Sequence, residues 1–421
     1  MRGSPIFIIV FIVILLAIDA YSYWGITKIT KDLRASIKRA IKILFWIVPV
    51  IIIIGLALLL SFQPHIPPSQ FFIYFHFISG AFILFYVPKL IFVVFNLFDD
   101  VIFQIRKRIS LIKNRSKETK SAGKLITRRK FLNQVGIVFA GIPFASLLYG
   151  IAHGRFDFTF RNVKLKFPHL PENFRGLRVI QISDFHIGTF INNSDKVQEI
   201  VKLINNQNPD ILLFTGDLVN NLSSEVDPFI SDLGNLKAGI GKYSILGNHD
   251  YGEYVRWKSD EKKRKNLERL ILLQREMGFD LLLDESRRIN IEDQFIELIG
   301  VQNWGLPPFP QYGDLKKAMK NVDETAVKIL LSHDPTHWDE QVLNKTTIDL
   351  TLSGHTHGAQ FGIEIPGWRW SPASIRYKRW GGLYTEGKQH LYINTGLGSI
   401  AYPGRVGMPP EITVFELCQS I

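Results

Sequence analysis

The chain has 421 residues, enough for two or three domains, and a formal net charge of +12. The excess is confined: residues 1–152 carry 19 Lys and Arg against 5 Asp and Glu, and residues 153–421 carry 31 against 33. A basic patch for a phosphate backbone on the larger part therefore has no compositional support, so no nucleic-acid partner is expected, and the single cysteine, Cys418, excludes an internal disulfide and a thiolate metal cage.

Residues 1–152 read as a membrane module. The segments 5–24, 41–62 and 71–98 are almost wholly apolar, each near or above the ~20 residues needed to cross ~30 Å of hydrocarbon as helix. A fourth segment, 131–152, is weaker because of Asn133, Gln134 and three glycines. The connection Gly25 to Lys42 carries six Lys and Arg and one acid, Gln63 to Gln70 carries none of either, and Asp99 to Lys130 carries eleven and three. That order of basic, neutral and basic loops predicts four crossings in a cell membrane, with everything after residue 152 outside the cytoplasm. The run Thr127-Arg128-Arg129-Lys130-Phe131-Leu132 reads either as an internal twin-arginine-like export signal or as the basic flank of a stop-transfer segment. Asp19, His65, His76 and Lys89 are scattered along these segments, and the module reads as an anchor.

Residues 153–421 form the second expected domain. Phe158 to Phe167 alternates apolar and polar residues like a half-exposed strand. Arg178 to Ile182 is a short apolar run closing on Asp184 and His186. Asp195 to Asn206 has helical spacing, with Val197, Ile200, Val201 and Ile204 on one face. Ile211 to Phe214 closes on Asp217, and Tyr243 to Leu246 closes on Gly247-Asn248-His249-Asp250. Pro228 to Leu236, Trp257 to Met277 and Asp314 to Met319 read as helices, and Glu261 to Lys265 as a solvated face. Arg287 to Asn290 and Phe295 to Val301 read as paired strands. Lys328 to Leu331 closes on His333, Asp349 to Leu352 closes on His355 and His357, and Leu391 to Asn394 and Ile412 to Leu417 are late strands. The order predicts an α/β (α+β) domain, a two-sheet mixed β-sandwich flanked by helices.

Five strand-like runs that each end in Asp, Asn or His predict strand ends converging on one site. Seven donors without sulfur, Asp184, His186, Asp217, Asn248, His333, His355 and His357, suit two divalent ions of the Mn, Fe and Zn group sharing one carboxylate. Such a pair would clamp a phosphoryl group and generate hydroxide for in-line attack. Gly354 and Gly358 fit a tight turn that sends His355 and His357 to different metals. His249 is then free to protonate the leaving oxygen, with Asp250 expected to orient its ring.

The blocks Asp184-x-His186, Gly216-Asp217, Gly247-Asn248-His249-Asp250, His333 and Gly354-His355-x-His357 resemble, in order and without a missing ligand, the signature of calcineurin-like metallophosphoesterases across about residues 177 to 360. The resemblance implies a metal-dependent phosphoric ester hydrolase. It places Asp184, His186, Asp217 and His357 on one metal, Asp217, Asn248, His333 and His355 on the other, and makes His249 the acid. Ser353-Gly-His-Thr-His-Gly-Ala-Gln360, Gly381-Gly-Leu-Tyr384, Asn394-Thr-Gly-Leu-Gly398 and Pro409-Pro-Glu-Ile412 look like the membrane-anchored or exported bacterial phosphodiesterase branch. That branch usually has a single N-terminal anchor, so four crossings depart from it, and lipid-linked or cell-envelope phosphates are expected as substrates from the resemblance alone.

Two further features stay open at this level. Trp368-Arg369-Trp370 with Arg376-Tyr377-Lys378-Arg379-Trp380 reads either as a buried aromatic hairpin or as a lip that touches headgroups. Arg405 reads either as a phosphate contact or as a surface salt bridge. A nuclease of the same fold and a non-catalytic membrane receptor or scaffold are the competing functions. The expected partners are the bilayer and a phosphate ester, with no obligate protein partner.

Overall fold

The computed structural model describes residues 5–62, 66, 68–113 and 119–419. The chain divides into two compact units, Met1–Ile66 with Tyr74–Tyr149, and Pro67–Ile73 with Gly150–Ile421.

Four helices dominate the N-terminal part: α1 (Pro5–Ile29), α2 (Ala35–Phe62), α3 (Pro68–Lys113) and α4 (Thr119–Ala152). Each contains a stretch long and apolar enough to cross a membrane. Large apolar side chains such as Ile51, Val94 and Ile142 stay exposed, as they do on helices whose solvent is lipid. The helices overrun the predicted spans: α3 continues to Lys113 and α4 resumes at Thr119, so most of the basic stretch expected as a loop is helical. Residues 90–113 contain no Gly or Pro to stop a helix, and Arg, Lys, Leu and Gln are good helix formers. Residues 127–132 lie within α4, and the side chains of the twin-arginine-like stretch are outside those described.

The α1–α3 seam is polar. Asp19 is fully buried and accepts from Lys89 Nζ at 2.6 Å and Tyr86 Oη at 2.8 Å. Further along, Asp100 accepts from Lys28 Nζ at 3.1 Å and Tyr21 Oη at 2.7 Å. Asp19 and Lys89, which look unrelated in the sequence, are thus one ion pair 70 positions apart. Both pairs join α1 to α3 in the same direction, so the two helices run parallel.

The C-terminal unit is a two-sheet sandwich. One sheet is built from β1 (Thr159–Phe167), β2 (Arg178–Ile182), β3 (Ile211–Phe214), β4 (Gly241–Ser244), β5 (Asp280–Leu281) and a late strand, Glu411–Gln419. The other comprises β6 (Glu285–Ile291), β7 (Gln294–Gly300), β8 (Lys328–Leu331), β9 (Leu350–Ser353) and two strands after a small separate hairpin, β10 (Ile363–Ile365) with β11 (Trp368–Trp370). Those two strands are β12 (Gly382–Glu386) and β13 (Gln389–Ile393), and the late strand of the first sheet is β14. The orders are β1-β14-β2-β3-β4-β5 and β12-β13-β9-β8-β7-β6. The neighbours β2-β3-β4 and β7-β8-β9-β13 are parallel, so their C-terminal ends lie along one edge of each sheet.

Between the sheets sits an apolar core that includes Val179, Leu213, Ile245, Leu298, Ile329, Leu352 and Phe415. Every residue of β3, β8 and β9 is buried, as expected for strands covered on both faces. The outer faces are covered by α5 (Ser194–Asn205), α6 (Ile230–Gly234), α7 (Asp260–Glu276) and α8 (Leu315–Ala318). The α5 stripe is Val197, Ile200, Val201 and Ile204, all buried. Helix α7 starts on Ser259, whose Oγ accepts from Lys262 N, and its first turns carry the exposed Glu261–Lys265 pair at 2.7 Å.

Candidate metal centre

The loops leaving β2, β3, β4, β8 and β9 bring the seven expected donors together. Asp184 N donates to Gly216 O and His186 N to Asp217 O, so the first two loops run side by side. The sheets are stitched across the site by His333 Nδ1 on Thr215 O at 2.7 Å, His355 N on Asp184 Oδ2 at 2.9 Å, and Gln181 Nε2 on Ser353 O at 2.9 Å.

Three overlapping groups of side chains have ligand atoms within 4.8 Å of one another: Asp184, His186 and His357; His186, Asp217 and His249; and Asp217, His333 and His355. Asp217 Oδ2 is 3.6 Å from His186 Nε2 and 3.2 Å from His333 Nε2. Asp184 Oδ1 is 3.2 Å from His357 Nε2, and the His186 and His357 Nε2 atoms are 3.1 Å apart. Asn248 joins through its oxygen, 2.8 Å from His355 Nδ1, while its amide donates to Tyr254 Oη at 2.8 Å.

This backbone is not relaxed. Asp184, His186, Asp217, His355 and His357 all have φ between +44 and +70. A left-handed conformation costs a non-glycine residue on the order of 1 kcal/mol, and strain of this kind gathers at functional sites. Two glycines make room. A Cβ at Gly247 would fall 2.2 Å from Asp217 Oδ1, and one at Gly354 would fall 2.2 Å from Asp184 Oδ2.

Electrostatics fit a cation. Burial pushes the Asp217 carboxyl up, but the imidazoles of His333, His249 and His186 outweigh it and hold the group well below the usual carboxylate range. Burial also holds His186, His249 and His355 below the ordinary imidazole value, leaving neutral rings with lone pairs. His333 is opposite: burial lowers it, yet the Asp217 carboxylate lifts it to about 10. A proton at His333 Nε2 and a divalent cation would therefore compete for the same place. His333 Nε2 and His186 Nδ1 are buried with no aligned hydrogen-bond partner. Carboxylates, neutral imidazoles and an amide oxygen, without sulfur, suit borderline divalent ions.

Two expected roles are corrected. Asp250 does not orient His249. Its oxygens accept from the backbone N–H groups of Asp217, Leu218, Val219 and Gly247 at 2.9 to 3.2 Å, which locks the β3 and β4 loops together. Burial and the neighbouring Asp217 push its carboxyl up to about 7, against the pull of those N–H groups. The ring of His249 is held instead by Nδ1 on the Asn220 carbonyl at 2.7 Å. Arg405 is not a surface salt bridge. It is 2 % exposed, donates to Gly398 O and Thr395 O at 2.9 Å, and sits 3.3 Å from His357 Nδ1. It braces the loop behind His357.

Trp368 and Trp370 lie on the β10–β11 hairpin and are 52 % and 43 % exposed, so the hairpin is not buried, although Arg379 and Trp380 beyond it are. The sequence does not announce Tyr254, Asp334 and Asn220 as neighbours of the cluster, nor the contact that Tyr377 of the aromatic and basic stretch makes with it. Tyr377 Oη is 2.9 Å and Asp334 Oδ2 3.4 Å from His355 Nε2. Asp334 follows His333 directly, but nothing in its spacing announces the contact.

A sandwich whose parallel strand ends converge on overlapping carboxylate and imidazole groups defines a metallohydrolase. Residues 177–359 match the family described as calcineurin-like phosphoesterase, and residues 1–155 match one described as a probable calcineurin-like phosphoesterase transmembrane domain. The chain is 30% identical over 306 residues to the uncharacterized metallophosphoesterase YkuE of Bacillus subtilis, covering 70% of this chain and 98% of that protein. It is 28% identical over 281 residues to a transmembrane protein with metallophosphoesterase domain of Danio rerio, covering 65% of this chain and 60% of that protein. It is 26% identical over 296 residues to the phosphodiesterase YaeI of Escherichia coli, covering 70% of this chain and all of that protein. The chain belongs to the calcineurin-like metallophosphoesterases, metal-dependent hydrolases of phosphoric esters, and is a membrane protein.

Proposed function

We propose that the chain is a multi-pass membrane phosphohydrolase, most active on phosphodiesters, with an anchor of about residues 1–152 and a catalytic domain of 153–421 outside the cytoplasm. The observation that carries the reading is the overlap of three donor groups on Asp217 and His186. One carboxylate shared between groups is what two neighbouring divalent cations require. Asp184, His186, Asp217 and His357 would hold one cation, and Asp217, Asn248, His333 and His355 the other. When bound, such ions polarise a phosphoryl group and acidify water.

The protein's own groups do the rest. The Asn220 carbonyl keeps a proton on His249 Nδ1, which leaves Nε2 facing the cluster. Protonated there, His249 can pass that proton to a leaving oxygen. Tyr254 keeps the Asn248 oxygen turned to the site, and Arg405 keeps His357 in place. The name of the Escherichia coli relative favours diester substrates, and the apolar helices favour esters presented at a membrane, lipid-linked or of the cell envelope. The basic, neutral and basic order of the helix connections supports the extracytoplasmic side.

The test is hydrolysis of bis-p-nitrophenyl phosphate by the purified full chain with manganese, alongside metal analysis. Activity that survives chelation, or one that persists in Asp217→Asn, would refute the reading. A reporter fused after Ala152 reads the side.

A further inference from the structure

The β10–β11 hairpin is amphipathic the wrong way round for a soluble domain. Its register pairs Ile363 with Trp370, Glu364 with Arg369, and Ile365 with Trp368. Directly opposed residues share a face, so Ile363, Ile365, Trp368 and Trp370 make one face and Glu364 and Arg369 the other. The polar face is the one that holds the domain. Glu364 pairs with Arg161 on β1, and the Arg369 guanidinium lies 5.3 Å from the Trp380 ring and 5.1 Å from the Tyr384 ring. The apolar face is left outward, its four side chains 43 to 54 % exposed. Pro366-Gly367 closes the tip, with Gly367 at φ +80. Just beyond, Ile375 is 85 % exposed, and Arg376 and Lys378 are exposed beside it.

Exposed isoleucines would cost solubility without a partner, and a cluster of this kind marks an interaction site. Its composition says which partner. Tryptophans with a polar edge, aliphatic side chains at the tip and flanking cations are what an anionic lipid interface selects. The helices α1 to α4 already commit the chain to a membrane, so the tethered domain meets that surface at high effective concentration. We infer that the β10–β11 hairpin and the Ile375–Lys378 segment form a docking surface for the headgroup layer of a lipid bilayer. The surface is joined to the site: Ser371 Oγ donates to Gly358 O at 2.6 Å, and Tyr377 reaches His355. Docking would thus bring the rim of the cluster to the lipid surface, a consequence that rests on the function proposed above.

The test reads position, not catalysis, so its failure leaves the phosphohydrolase reading untouched. Cys418→Ser removes the only cysteine. Ile365→Cys, Ile375→Cys and, as a control on α7, Leu272→Cys, which replaces a side chain 63 % exposed, each carry an environment-sensitive fluorophore in the full chain. The protein is placed in nanodiscs of phosphatidylcholine with phosphatidylglycerol, with and without shallow spin-labelled lipid. Labels at 365 and 375 are expected to shift to the blue and to be quenched at least about threefold more than the label at 272. Arg376→Glu with Lys378→Glu, or nanodiscs of phosphatidylcholine alone, should reduce that quenching. Two labelled sites guard against local distortion. If both behave like position 272, including because a protein or a second copy covers them, the inference is overturned.

Discussion

Both units of this protein bury carboxylates, and they settle them in opposite ways. In the membrane unit Asp19 meets Lys89 and Tyr86, and Asp100 meets Lys28 and Tyr21, so each negative charge has a cation and a hydroxyl from the protein itself. In the C-terminal unit Asp184 and Asp217 meet imidazoles, three of which burial holds neutral while Asp217 raises the fourth, His333, and the neighbouring Arg405 guanidinium is spent on backbone carbonyls. A buried charge persists only when paired or bound to metal. The first arrangement is complete without a ligand and locks α1 to α3. The second is held by the proton on His333, in the place a divalent cation would take. The contrast separates a structural ion pair from a reactive site more sharply than burial alone.

The largest expected effect breaks the second arrangement. Asp217→Asn removes the carboxylate shared by two donor groups and should lower phosphodiester hydrolysis at least about a thousandfold, since a metal contributes several kcal/mol to the transition state. The wild type should also lose thermal stability on chelation, by mass action on a ligand that binds only the folded state. A melting curve of Asp217→Asn that responds to chelator as strongly as wild type would contradict this.

Next comes the seam. Lys89→Met strands Asp19 in an apolar setting and should destabilise the membrane unit by roughly 3 kcal/mol, whereas Asp19→Asn with Lys89→Met should recover most of the loss. Unfolding of the full chain in mixed micelles measures both. Equal losses in the single and double variants would show that the pair does not neutralise itself.

Gly247→Ala sharpens the comparison from the site's side, because its Cβ must displace Asp217 or His333. A shift of this size should cost on the order of 100-fold in turnover, with a smaller effect on stability. A variant of unchanged turnover would mean the cluster tolerates slack.

The two arrangements were unequally legible in the sequence. The seven donors could be read because each follows its own apolar run within a few residues, as Asp217 follows Ile211 to Phe214. Parallel strands then deliver them to one edge. The Asp19–Lys89 pair could not be read, because helix pairing decides it and nothing local marks partners 70 positions apart. The same limit explains Arg405, whose burial depends on the loops of residues 395–398, and the β10–β11 hairpin, whose polar residues find their partners in the distant Arg161 and Trp380. Asp250 was misread for a different reason. Proximity in sequence suggested a contact with His249, but the tight turn points its carboxylate back at four amides.

Asp250→Asn tests that correction and should have the smallest effect of the four. The amide keeps the shape but replaces one acceptor oxygen by a donor facing backbone N–H groups, either those of Asp217 and Gly247 or those of Leu218 and Val219. Losing such bonds in a buried place costs about 1–3 kcal/mol, so the melting temperature should fall while metal content under saturating cation stays at the wild-type level. Because Nδ1 of His249 is held by the Asn220 carbonyl, the limb of the pH–rate profile that reports His249 should not move. Had Asp250 oriented the imidazole, its neutral replacement would lower the pKa of His249 and carry that limb to lower pH. A profile displaced in that direction, with stability unchanged, would restore the discarded role and remove the distinction between a carboxylate that holds loops and one that tunes a proton.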